Sequence, residues 1–234
     1  MNEGVPTVMV TGAAGNLGRA VAKAFVDLGA NLALVDLRRE HLERAYGSDN
    51  ERQLLLPANL LEQKQVDDAV AKTIERFKRI DVLCNIAGGF KMGEAVHETT
   101  DETWNFMLDL NGRTVLHAAR AVVPKMLAAG GGKIVNMGAF SAQKGVAQMA
   151  AYVASKSVVI RLTESMAAEL REKNINVNCV LPTIIDTPEN RAAMPNADPR
   201  RWVATEDLAS VIVFLASDGA RAIHGAALPV SGLS

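Results

Sequence analysis

Two side chains four positions apart, Tyr152 and Lys156 in Tyr152-Val153-Ala154-Ser155-Lys156, are the leading candidates for chemistry in this 234-residue chain. On a helix that spacing puts both on one face. A phenol with a pKa near ~10 is a poor acid or base at neutral pH. An adjacent ammonium stabilises the phenolate and lowers that value, which makes the pair a proton-transfer device. Alone, the same pair would also suit the surface of an amphipathic helix, so the surrounding sequence has to decide.

A second group of residues suits a dinucleotide. An apolar run leads into Thr11-Gly12-Ala13-Ala14-Gly15-Asn16-Leu17-Gly18. Glycines at a strand-to-helix turn let the backbone approach a pyrophosphate, and the helix start offers amide donors and a favourable dipole. A plain tight turn is the alternative, but the strand before and the helix after favour the nucleotide. Asp36 ends the next apolar run, followed by Leu37. A carboxylate there accepts hydrogen bonds from ribose hydroxyls and repels a 2′-phosphate, which favours NAD(H). Arg38 and Arg39 keep NADP(H) as the alternative, because a guanidinium can bind that phosphate.

These residues need elements to position them. Val5–Val10, Asn31–Val35, Gln53–Leu56, Val82–Cys84, Lys133–Met137, Asn176–Leu181 and Ala227–Val230 read as strands. Several are apolar at consecutive positions, as buried parallel strands are. Leu17–Leu28, Glu62–Phe77, Glu102–Ala129, Ala151–Lys173 and Glu206–Ala216 read as helices, the last with Thr205 as N-cap. The alternation predicts one α/β domain over 1–234, a Rossmann-type doubly wound parallel sheet of about seven strands with helices on both faces. The segment 183–204, rich in proline, reads as an irregular loop over a substrate site.

Composition narrows the function classes. Hydrophobic residues make up 49% and charged residues 22%, with a formal net charge of −1. No basic surface suggests nucleic acid. No apolar run reaches ~18 residues, so no membrane helix is expected. Met1-Asn2-Glu3-Gly4 does not resemble a secretion signal. Cys84 and Cys179 lie in strand-like runs and read as buried free thiols, and the histidines lack ligand spacing, so no metal site is expected. A cytoplasmic protein with a small-molecule substrate follows.

Together, Tyr152–Lys156, the Thr11–Gly18 turn and Asn85-Ile86-Ala87-Gly88 after the fourth strand resemble the short-chain dehydrogenase/reductase family over nearly the whole chain. The resemblance implies a nicotinamide-dependent oxidoreductase. Tyr152 would be the proton donor or acceptor, Lys156 would tune it and hold the nicotinamide ribose, and Asn111 would assist a proton relay. Asn85, Ala87 and Gly88 would let the cofactor approach, while Asn59 and Leu60 would lie beside adenine. Pro182, Ile184 and Thr187 would face the carboxamide and phosphates. Family members are commonly dimers or tetramers, and Val115–Val123 suits either an interface or a core. The turn departs from the common family form, since Asn16 stands where the middle glycine usually does.

The other departure is Ala139, thirteen positions before Tyr152, where members usually place a substrate-polarising serine. A methyl group polarises nothing, and losing such a donor typically costs ~10²–10³ in rate. Ser141 could substitute through a shifted loop, as in a carbonyl or alcohol reductase of the 3-oxoacyl reductase type. The acceptor could need no donor. Or the chain could be a non-catalytic NAD(H)-binding sensor, against which the intact Tyr152–Lys156 pair argues. The second reading gains from Ala87-Gly88-Gly89-Phe90, Asp186–Arg191, Met194–Asp198 and Trp202, which resemble the dihydropteridine reductases. Those enzymes use NADH, carry alanine at that place and reduce a quinonoid dihydropterin; they do not share Asn85 and Asn111. Phe90 and Trp202 could stack on such a planar acceptor or simply pack the lid. Arg191 could meet an acidic substrate group or pair with Asp186.

Overall fold

A computed structural model describes residues 5–234; Met1–Gly4, the start compared above with a secretion signal, lie outside the described residues. The strands are β1 (Thr7–Thr11), β2 (Asn31–Asp36), β3 (Gln53–Pro57), β4 (Val82–Asn85), β5 (Gly132–Met137), β6 (Ile175–Pro182) and β7 (Ala227–Val230). They form one parallel sheet in the order β3-β2-β1-β4-β5-β6-β7. The chain winds outward from β1 to β3, then returns to β4 and winds the other way. The switch lies between β1 and β4, and ligands of open α/β sheets bind outside the carboxyl ends of the strands there.

The helices are α1 (Asn16–Asp27), α2 (Arg39–Tyr46), α3 (Gln63–Phe77), α4 (Asp101–Leu108), α5 (Thr114–Ala129), α6 (Ala150–Leu170), α7 (Pro188–Ala193) and α8 (Thr205–Leu215). Amphipathic α1 buries Leu17, Val21 and Phe25. With α8 it covers one face of the sheet, in a core that includes Val8, Val10, Leu34 and Val180. On the other face, Val66 and Val70 of α3 and Val122 and Met126 of α5 pack on Met9, Leu83 and Ile134. Alternate strand residues thus supply two cores, as a sheet buried on both sides requires. The run Val115–Val123 belongs to this interior, since Ala118, Ala121 and Val122 lie in that second core.

Every expected strand is present within one or two residues at its ends. Three expectations need correction. The predicted helix from Glu102 is divided by a π-helical turn at Asp109–Arg113. Thr205 is the first residue of α8 and Ala204 is its N-cap, because the Thr205 hydroxyl turns to the Glu206 carboxylate at 3.0 Å. The loop 183–204 contains α7, a 3-10 turn at Pro199–Arg201 and a parallel bridge from Ile185 to Val203. Only Leu42 of helix α2 is buried, so its apolar periodicity is faint in the sequence. No helix among the described residues is long and apolar enough to cross a membrane.

At the switch point the backbones nearly touch. A β-carbon on Gly12, whose φ is +64°, would lie 2.8 Å from Ala87 Cα, and one on Gly18 would lie 2.8 Å from Ala13 Cα. By contrast, a β-carbon on Gly145 would meet nothing within 4 Å. Gly18→Ala is therefore expected to lower the unfolding free energy by about 1–3 kcal/mol in chemical denaturation. Gly145→Ala should stay within about 0.5 kcal/mol of the parent.

Candidate active site

Helix α6 carries Tyr152 and Lys156 along its first turns, opposite the carboxyl end of β5. Lys156 is buried, and its ammonium donates to the Met137 carbonyl at 2.9 Å. Burial lowers its pKa to about 8. Burial likewise pushes the Tyr152 phenol up to about 12. The expected lowering of the phenol by the ammonium is thus outweighed in the free protein, because both groups are desolvated and the lysine is turned to Met137. Tyr152 stays protonated at neutral pH, the form in which it can give a proton away.

Asn111 lies within the π-helical turn, where local widening of a helix often accompanies function. Its Oδ1 accepts from Gly89 N–H at 3.0 Å, and its Nδ2 donates to Gly89 C=O at 3.1 Å and to Ser155 Oγ at 3.0 Å. Ser155 Oγ in turn donates to the Tyr152 carbonyl at 2.7 Å. The Asn111 amide therefore clamps the loop after β4 to the helix holding Tyr152. Gly88 is the meeting point, since a β-carbon there would lie 2.7 Å from Asn111 Oδ1 and 3.1 Å from Lys156 Nζ. The clamp positions Phe90, whose ring meets Tyr152 edge to face at a centroid distance of 4.8 Å. Phe90 is 57% exposed and Trp202 only 7%. Of these two aromatic candidates, Phe90 faces outward, whereas Trp202 is a packing residue under the lid.

Ala139, 4% exposed, packs in a small cluster with Ala142, Ile160, Cys179 and Leu181, against which Tyr152 rests. The serine-less position thus lies at the tyrosine. Ser141 lies half-buried in the 3-10 turn Phe140–Gln143, between exposed Phe140 and buried Ala142.

The dinucleotide end is assembled at the switch point. Gly15 caps α1 without a side-chain bond, so the first-turn N–H groups of Asn16, Leu17 and Gly18 are left for a ligand or solvent. The Thr11 hydroxyl accepts from Ile86 N–H at 3.1 Å and Ala87 N–H at 3.3 Å, which joins this turn to Asn85–Gly88. Asn85 itself points into the sheet and donates to Asn136 Oδ1 at 2.8 Å. Asp36 accepts from Ala14 N–H at 3.0 Å and Leu37 N–H at 2.8 Å, with Leu37 exposed beside it. Arg39 is engaged elsewhere, by Glu43 and Asp49, both at 2.8 Å. Asn59 Oδ1 accepts from Leu61 N–H at 3.0 Å, while the Leu60 carbonyl meets buried His117 Nδ1 at 2.9 Å. Pro182 ends β6, the Ile184 carbonyl accepts from Val203 N–H at 2.8 Å, and Thr187 Oγ1 caps α7 through Asn190 N–H at 3.2 Å. Arg191 forms a two-toothed pair with Asp186 at 2.6 and 2.7 Å. The glycine cradle, the uncapped helix start and the Asp36 carboxylate together fit a dinucleotide.

Sequence reasoning missed two supports of this site. They are His117 and Tyr46, whose hydroxyl donates to the Ala13 carbonyl at 2.7 Å. Neither has a signature spacing, since each acts through a backbone group distant in the chain. Asn111→Ala, which removes the clamp, is expected to cost about 1–3 kcal/mol of stability. It should also speed amide exchange at Gly89; unchanged exchange there would contradict the clamp.

A family model described as enoyl-(acyl carrier protein) reductase matches residues 12–232. An NAD-dependent glycerol dehydrogenase from Listeria innocua is 30% identical, with 96% of this chain and 91% of that protein aligned. A 3-oxoacyl-acyl-carrier-protein reductase from Thermotoga maritima is 30% identical, with 96% and 95% covered. The crystal structure of NAD+-bound xylitol dehydrogenase matches with a TM-score of 0.89 at 28% identity, covering 97% of this chain and 98% of that one. Fold, cradle and relatives agree that the chain belongs to the short-chain dehydrogenase/reductase family.

Proposed function

We propose that this chain is an NADH-dependent reductase of an acceptor already activated toward hydride, of the quinonoid dihydropterin kind. The observation that carries the proposal is Ala139, packed where Tyr152 rests and bearing no hydroxyl. Nicotinamide supplies the hydride when bound. Tyr152 gives the balancing proton from its hydroxyl, and the Lys156 ammonium steadies the phenolate left behind. Asn111 holds Gly89 and thereby Phe90, whose outward ring offers a flat apolar wall to a planar acceptor. NAD(H) is preferred because Asp36 stands at the end of β2 and Arg39 is held by Glu43 and Asp49. NADP(H) remains the alternative through exposed Arg38.

A second reading is a carbonyl or alcohol reductase in which Ser141 polarises the substrate. It is favoured by the relatives, which are named for glycerol and 3-oxoacyl substrates. A sensor without turnover has less support, because the proton-transfer pair is intact, with Lys156 buried and Tyr152 half-buried. Exposed Trp104 and Phe106 on α4 and Val158 on α6 suit a second copy of the chain, giving a dimer or tetramer. Free, buried Cys84 and Cys179 suit the cytoplasm.

NADH oxidation with quinonoid dihydropterin, beside a panel of simple ketones, tests the assignment. Pterin turnover with idle ketones supports it; the reverse outcome selects Ser141, and Ser141→Ala should then cost ~10²–10³ in kcat. Tyr152→Phe should abolish turnover while leaving NADH binding in place. With rising pH, the reductase rate should fall through about 8, where Lys156 loses its proton, while Tyr152 stays protonated to about 12. A limb that persists unmoved in Lys156→Arg would assign it to another group.

A further inference from the structure

The residue in the place of the usual middle glycine has a partner outside its own turn. Asn16, first in α1, donates from Nδ2 to Glu189 Oε2 at 2.7 Å. Arg19 Nη2 donates to Asn16 Oδ1 at 2.7 Å, which fixes the amide with its NH2 toward the lid. Glu189 belongs to α7, a six-residue helix with no buried residue. The lid helix is therefore weakly seated. Asn190 Nδ2 ties it to the Ile185 carbonyl at 2.8 Å, and the Asp186–Arg191 pair stays within its own segment. Thr187, Pro188 and Arg191 line a cavity of about 480 Å³ shared with Ala204, Thr205 and Glu206.

Glu189 thus brings a carboxylate to the start of α1, where free amides and the helix dipole favour an anion. Resting on the dinucleotide reading above, we propose that Glu189 is an internal competitor for the cofactor's diphosphate. Its carboxylate holds the Asn16 amide in the free protein. The diphosphate takes that amide on binding, and charge repulsion at short range turns the Glu189 carboxylate away. Asn16 and Arg19 are then diphosphate-positioning side chains added to the backbone cradle, and Glu189 sets the affinity.

Calorimetric titration with ADP-ribose and with adenosine, which lacks the diphosphate, tests this without turnover. Glu189→Gln keeps shape and removes charge. It is expected to bind ADP-ribose roughly 3- to 10-fold tighter and adenosine unchanged, because only the diphosphate meets the lost charge. In an Asn16→Gly background the same substitution should gain less than about twofold, since the two residues act as a coupled pair. Equal or weaker ADP-ribose binding by Glu189→Gln, or equal tightening for adenosine, overturns the competition while leaving the dinucleotide site standing. A parent protein that binds neither ligand overturns both.

Discussion

A buried ammonium is the constraint around which the reacting end is built. Taking a lysine head out of water is expensive unless hydrogen bonds replace the lost hydration. Lys156 finds one such bond at the Met137 carbonyl, which fixes the end of β5 against α6. Room for the head comes from Gly88, where any side chain would collide with it or with Asn111. The same lack of hydration explains why the lysine sits near the range where it can lose its proton and why its phenolic neighbour does not.

The nucleotide half follows a different rule, in which backbone is held by side chains from elsewhere. Ala13 and Ala14 are grasped from the adenosine side by the Val35 carbonyl, the Tyr46 hydroxyl and the Asp36 carboxylate. Asp36 therefore orients the turn, in addition to the ribose contact proposed for it. Removing its carboxylate to change cofactor preference would also loosen the cradle. The Arg39 guanidinium is likewise held from elsewhere, by Glu43 within α2 and by Asp49 beyond it.

Much of this was legible in the sequence. Strand positions stood out because both faces of the sheet are buried and the runs are continuously apolar. The tyrosine, lysine and glycine turn stood out because their chemistry demands particular types at particular spacings. What stayed hidden depends on contacts remote in sequence. The Asn111 amide grips a loop more than twenty positions away, and Glu189 reaches back to Asn16. Helix α7 was hidden for another reason, since six residues that bury nothing carry no periodicity.

The π-helical turn at Asp109–Arg113 sets the phase of the helices on either side of it. Before it, α4 lies against α6; after it, α5 lies against α3 and the sheet. A regular helix advances about 100° per residue, so one residue more or fewer within the turn would rotate every upstream side chain to a new azimuth. Length in this stretch is therefore far less free than in the surface loops. A one-residue deletion would leave composition and apolar content almost untouched, yet it would point Trp104, Met107 and the rest of α4 at the wrong neighbours.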